Sequence, residues 1–158
     1  YITSRGNWYQ KSWKGDPAKS FGLVTNIGIH FFDMLEWIFG DLEESYLYLH
    51  EPTKSSGFFM FDKARVKWFL SIDAKDIPSN IKTNITTFRS INIDGLELDF
   101  SSHDGFIDLH TVAYQEILSG RGLGLQDAKS SIAILEKINS SLISDYDSNK
   151  SHSYLEKI

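Results

Sequence analysis

The stretch "TNIGIHFFDMLEWIFGD", residues 25–41, carries two chemically different stripes and stops at a glycine. An α-helix turns by about 100° per residue. On that spacing Ile27, Phe31, Met34, Leu35 and Ile38 fall within one apolar arc, which reads as a core stripe. Asn26, His30, Asp33 and Trp37 fall within a narrower arc beside it. With Gly40 as the stop, the pattern predicts a helix over Asn26–Phe39. A helix with one apolar stripe needs an apolar layer to cover it.

That layer follows at once. "ESYLYLH" (44–50), "GFFMF" (57–61) and "RVKWFLSI" (65–72) have strand composition, with "FDKARV" as a tight hairpin connection. "TNITTFRSINI" (83–93) and "LELDF" (96–100) flank Asp94-Gly95, the strongest hairpin signal in the chain. The pattern then turns helical over 106–120 and 125–143, joined by "GRGLG" (120–124). One helix, a run of antiparallel strands and two further helices make an α+β order rather than βαβ alternation. The expected architecture is a mostly antiparallel open sheet with helices packed on one face.

Several strands are apolar on both faces, as in the alternation of Tyr46 and Tyr48 with Leu47 and Leu49. A sheet with one wet face alternates polar and apolar residues. Either another subunit or domain covers the second face, or the sheet curls on itself. The first option implies a homodimer or homotetramer. The tail "DYDSNKSHSYLEKI" (145–158) reads as polar and peripheral.

The polar arc of the first helix has the composition of a site. A solvated helix back carries Lys, Glu and Gln; here stand an amide, an imidazole, a carboxylate and an indole. Imidazole suits proton transfer near neutral pH, an amide one turn earlier can bond a ligand, and Asp33 can orient the ring. The alternative is a satisfied, half-buried His30 whose neighbours cap the helix start. Upstream, "SRGNWYQKSWKGD" (4–16) sets Arg5, Lys11 and Lys14 among Trp8, Tyr9 and Trp13. Cations beside aromatic faces suit an anionic, ring-bearing ligand; the alternative is a loop pinned by its own aromatics. His110 and Tyr114, one turn apart, are either a polar site pair or boundary residues. "GRGLG" follows a helix and lacks the G-x-G-x-x-G spacing, so it is a connector rather than a phosphate loop.

The composition removes several classes. Among 158 residues, 41% are apolar and 23% charged, which fits one globular domain. A net charge of −5 argues against a nucleic-acid binder. No apolar run is long enough for a membrane span. The absence of cysteine excludes disulfides, thiolate zinc sites and cysteine nucleophiles, and favours a cytoplasmic protein. No His/Asp/Glu set has metal-ligand spacing. The chain opens on "YITSRGNWY" without an initiator methionine, as a piece of a longer protein would.

The stretch "WKGD…TNIGIHFFDMLEWIFG" resembles the start of the C-terminal domain of the Gfo/Idh/MocA oxidoreductases. "SRGNWY", "SWKGD", "TNIGIHFFDML", "ARVKWFLSID", "TFRSINIDG" and "GFIDLHTVAYQEILSGRG", in that order, resemble one subfamily of it. That subfamily is the UDP-N-acetyl-2-amino-2-deoxyglucuronate (UDP-GlcNAcA) 3-dehydrogenases of bacterial surface-polysaccharide (O-antigen, lipopolysaccharide) biosynthesis. The resemblance covers about residues 1–143. It implies that residues 1–158 form the substrate-binding and oligomerising domain. An N-terminal Rossmann domain holding NAD, and bearing the family's catalytic lysine, is absent from this chain.

The implied reaction takes hydride from C3 of the UDP-sugar to give the 3-keto sugar. His30 falls on the family's catalytic histidine. Asn26 stands where many members have Asp, which implies that it positions the substrate hydroxyl. Arg5, Tyr9, Trp13 and Lys14 would hold the uronate or nucleotide part, with Asp33, His110 and Tyr114 as further substrate-side residues. "SFGLVTN" (20–26) puts Phe21 where the usual approach is Gly-Gly. Two rival expectations remain: a related dehydrogenase for another sugar or cyclitol, and a sugar-binding or dimerisation module without chemistry.

Overall fold

The computed structural model describes residues 1–81, 85–101 and 108–157. Its main sheet has five strands: β1 (Ile2–Thr3), β2 (Leu42–His50), β3 (Lys54–Phe61), β4 (Arg65–Ser71) and β5 (Thr87–Phe88). Their order is β2-β3-β4-β1-β5. β2, β3 and β4 form an antiparallel meander, in which Tyr46 faces Phe58 and Phe58 faces Lys67. β1 slots in parallel to β4 (Ile2 opposite Ser71) and antiparallel to β5 (Thr3 opposite Thr87). The sheet is therefore mixed but mostly antiparallel. β6 (Ser90–Ile93) and β7 (Leu96–Asp99) make a separate ribbon. Asp94 and Gly95 both take positive φ, 50° and 92°, at its tip, as an Asp-Gly hairpin turn requires.

One face of the sheet carries the core. Helix α3 (Ile29–Phe39) and helix α5 (Lys129–Ser140) lie against it. Phe32 meets the strands edge-on, its ring 5.0 Å from Phe59 and 5.2 Å from Trp68. Trp68 fits because Gly57 stands opposite it: a Cβ there would press on the Tyr46 carbonyl and on the indole. The predicted core stripe is corrected here. Phe32 is buried, while Ile38 is 47% exposed. A π-helical turn at Val24–Gly28 precedes α3, with Ile29 N–H bonded to the Val24 carbonyl. This wider turn breaks the uniform helical spacing on which the arc was drawn. α3 stops at Gly40 (φ 88°), whose N–H reaches the Glu36 carbonyl at 2.9 Å.

Residues 4–16 read as a loop in the sequence, and a short strand precedes them. The strand is β1, but the loop is built of turns: α1 (Asn7–Lys11), a 3₁₀ turn (Trp13–Gly15) and α2 (Pro17–Ser20). Each is too short to show periodicity, and side-chain caps hold them. Ser12 Oγ accepts from Lys14 N–H at 3.2 Å and donates to the Tyr9 carbonyl at 2.7 Å. Asp16 Oδ1 accepts from Ala18 N–H at 3.1 Å, ahead of Pro17 at the first helical position.

Helix α4 (Leu109–Leu118) and α5 match the two predicted C-terminal helices with shorter ends. The predicted start of the first, at 106–107, lies outside the described residues. So do 83–84 of the long predicted strand, whose described part divides into β5 and β6. Gly120, at φ 78°, ends α4 as the connector reading required.

The tail is not peripheral. It straps the second face of the sheet, the one expected to need a partner. Ser144 N–H bonds to the Leu47 carbonyl at 2.7 Å. Lys150 Nζ lies 3.8 Å from the Tyr46 ring centroid, and Tyr154 stacks on Phe69 at 4.8 Å. Alternate residues of "KSHSY" turn to the sheet, the Lys150 ammonium onto an aromatic face and the His152 and Tyr154 rings onto Phe69. No helix among the described residues is long and apolar enough to cross a membrane.

Candidate active site

Asn26 sits in the π-helical turn, and His30 one turn later at the start of α3. The two share one helix face with Asp33 and Trp37, and His30, Asp33 and Trp37 are all exposed. The core side of the helix is filled by Phe32 and Leu35, so this polar line is the open side. No described residue bonds the His30 imidazole. Asp33 accepts a hydrogen bond from Ser131 Oγ, which ties α3 to α5. That carboxylate is engaged away from the His30 ring.

Asn26 joins the helix to the loop. Its Nδ2 donates to the Gly22 carbonyl at 2.8 Å and to the Lys14 carbonyl at 3.3 Å. Ser20 Oγ also donates to the Lys14 carbonyl, at 2.9 Å, and accepts from Gly22 N–H at 3.0 Å. Both amide protons of Asn26 are thus spent on backbone, while Oδ1 remains an acceptor. The loop wraps closely here, because a Cβ on Gly15 would strike the Gln10 backbone and the Tyr9 carbonyl.

Tyr9 is buried to 3% exposure at the centre of this wrap, and its hydroxyl has no partner of hydrogen-bond geometry. Burial pushes its phenol above the ordinary value, while the neighbouring Arg5 guanidinium and Asn26 amide pull it part of the way back. Arg5, Tyr9 and Asn26 are therefore neighbours. Lys14 joins them through its carbonyl, and its Nζ lies 5.7 Å from the Trp13 ring centroid. Trp8, Trp13 and Phe21 are all more than half exposed on the same loop. Arg5, Lys11 and Lys14 form no ion pair among the described residues; the loop's one bridge is Lys19 to Asp16, at 3.2 Å. In a chain of net charge −5, this is an uncompensated basic rim.

The structure thus gathers Arg5, Tyr9, Trp13, Lys14 and Asn26 beside the His30 face. It does not gather His110 and Tyr114, which are exposed on α4 with no described bond or ring contact to the loop or to α3. Sequence reasoning missed Ser12, Ser20 and Ser131, which shape the loop and hold Asp33. Asp16-Pro17 carries a helix-start signal for α2 that the loop reading passed over. No group of three or more His, Asp or Glu among the described residues could hold a metal ion.

Comparison with known proteins sharpens this picture. Residues 1–64 match the family profile described as "Oxidoreductase family, C-terminal alpha/beta domain" of the Gfo/Idh/MocA type. The chain is 43% identical, with a TM-score of 0.91, to a crystal structure of the WlbA (WbpB) dehydrogenase from Thermus thermophilus with NAD and α-ketoglutarate. A second structure of that enzyme, with NAD and UDP-GlcNAcA, is 42% identical with a TM-score of 0.90. Each alignment covers 97% of this chain and 49% of the relative, so the chain spans about half the relatives' length. Over residues 1–64 the chain thus matches the C-terminal α/β domain of the Gfo/Idh/MocA oxidoreductases, and over 97% of its length it shares the fold of about half of the WlbA dehydrogenase.

Proposed function

We propose that this chain is the substrate-side half of an NAD-dependent dehydrogenase that oxidises the C3 hydroxyl of UDP-GlcNAcA to the 3-keto sugar. The carrying observation is the exposed His30 and the Asn26 Oδ1 acceptor beside an aromatic loop whose Arg5, Lys11 and Lys14 form no ion pair among the described residues. Oxidising a carbinol removes a hydride from carbon and a proton from oxygen. NAD, bound by the other half of the enzyme, takes the hydride. What this chain supplies is the wall that faces the sugar.

His30 takes the hydroxyl proton on its imidazole as the carbon–oxygen double bond forms. Asn26 Oδ1 accepts from a sugar hydroxyl and aims it, while the two backbone bonds of Nδ2 stop the amide from rotating away. Arg5 and Lys14 meet the uronate or the diphosphate, with Trp13 and Tyr9 as the apolar floor between them. The same cations suit the dicarboxylate α-ketoglutarate, which the Thermus thermophilus relative binds together with NAD. This supports a second half-reaction in which that keto acid is reduced and the nicotinamide reoxidised at one site. Asp33, His110 and Tyr114 remain outer candidates on the substrate side.

The finer placement follows from the same reading: a cytoplasmic enzyme of surface-polysaccharide biosynthesis, assembled as a dimer or tetramer. The sheet's second face beside its strap, with the exposed Leu96 and Leu98 of the β6–β7 ribbon and the adjoining Phe100, is the assembly surface in this reading. The deciding assay uses the full-length enzyme with UDP-GlcNAcA and NAD, reading NADH. Turnover is expected, and His30→Ala should lower kcat by about 10²–10⁴-fold with a smaller change in KM. Turnover of a simple sugar or a cyclitol but not of UDP-GlcNAcA would sink the substrate assignment. An undiminished His30→Ala enzyme would sink the role of the histidine.

A further inference from the structure

The loop holds one residue whose backbone and side chain disagree with their surroundings. Phe21 caps α2 in the left-handed conformation, at φ 56° and ψ 21°. That region suits glycine and costs a bulky side chain free energy. Gly22, the next residue, takes φ 78° with open space around it. Burial usually compensates such an outlier, yet the Phe21 ring is 65% exposed and no described ring stacks on it. Among the described residues the Phe21 ring has no stacking partner to compensate that cost. Strain of this kind, held in place by its surroundings, points to a role outside the fold.

The surroundings do hold it. Thr25 Oγ1 donates to the Phe21 carbonyl at 3.3 Å, and the adjoining Gly22 carbonyl accepts from Asn26 at 2.8 Å. The Gly22–Leu23 peptide, one residue beyond Phe21, is therefore bonded to the residue that aims the sugar hydroxyl. We propose that Phe21 is a specificity-determining residue whose ring covers the apolar C–H face of the sugar bearing the reacting hydroxyl. This rests on the reading of His30 and Asn26 as the sugar-hydroxyl site. The charged parts of the substrate go to Arg5 and Lys14, which leaves the uncharged ring for an uncharged aromatic platform.

The test uses the full-length enzyme and three variants. Phe21→Gly removes the ring and relieves the backbone, Phe21→Asn removes the ring in a residue that tolerates this conformation, and Phe21→Tyr keeps the ring. Phe21→Gly should melt higher than wild type and still raise the KM for UDP-GlcNAcA about tenfold, the scale of one lost aromatic contact. Its kcat and its KM for NAD should stay within about twofold of wild type. Phe21→Asn should weaken sugar binding equally, and Phe21→Tyr should bring the KM back. A sugar KM that does not move in the glycine variant overturns the proposal, as does a rise in the NAD KM instead. A lower melting temperature in both ringless variants also overturns it, by making the ring a packing element. If wild type itself fails to oxidise UDP-GlcNAcA, the functional reading falls and takes this inference with it.

Discussion

Asn26 shows how much one side-chain atom can decide. The family resemblance allows Asp at this position, but here the amide nitrogen is the group in use, donating to two carbonyls. A carboxylate offers those carbonyls only repulsion. Asn26→Asp should therefore loosen the loop and cost about 1–3 kcal/mol of stability near neutral pH. Part of that loss should return as pH falls, because a protonated carboxyl regains one donor. Urea denaturation across the acid range reads this directly, and an aspartate variant as stable as wild type at pH 7 would contradict the geometry. Tyr9, by contrast, keeps an unpartnered hydroxyl in the same wrap.

The elements are set by contacts of two ranges. Helix α3 and the Asp94-Gly95 ribbon follow from local pattern and turn chemistry, which act over a few residues. The β3–β4 pair depends on something less local: Gly57 leaves room for Trp68, on which Phe32 and Phe59 then pack. Gly57→Ala should cost about 3 kcal/mol, the upper end for overpacking, because the Tyr46 carbonyl is backbone and cannot swing aside. A full denaturation curve would show it, and a change below about 1 kcal/mol would mean that the sheet yields more than the packing implies. The short turns of the loop have no such anchor in pattern. They exist because Ser12, Asp16 and Asn26 supply partners that only the folded loop brings within reach.

At the scale of the whole molecule, β1 runs between β4 and β5, with Thr3 opposite Thr87 and their hydroxyls 3.0 Å apart. The sequence by itself determined the α+β order, the β2–β4 meander, the polar line of Asn26 and His30, and the basic loop beside it. These are period, composition and turn signals, which local physics writes into neighbouring residues. Only the tertiary structure decided that Phe32 rather than Ile38 enters the core, and that Asp33 answers to Ser131. It alone set β1 between β4 and β5, laid the tail across the second face of the sheet and held Phe21 in a glycine's conformation. Each of these depends on groups far apart in the chain, whose pairing free energy exists only once the backbone has closed around them.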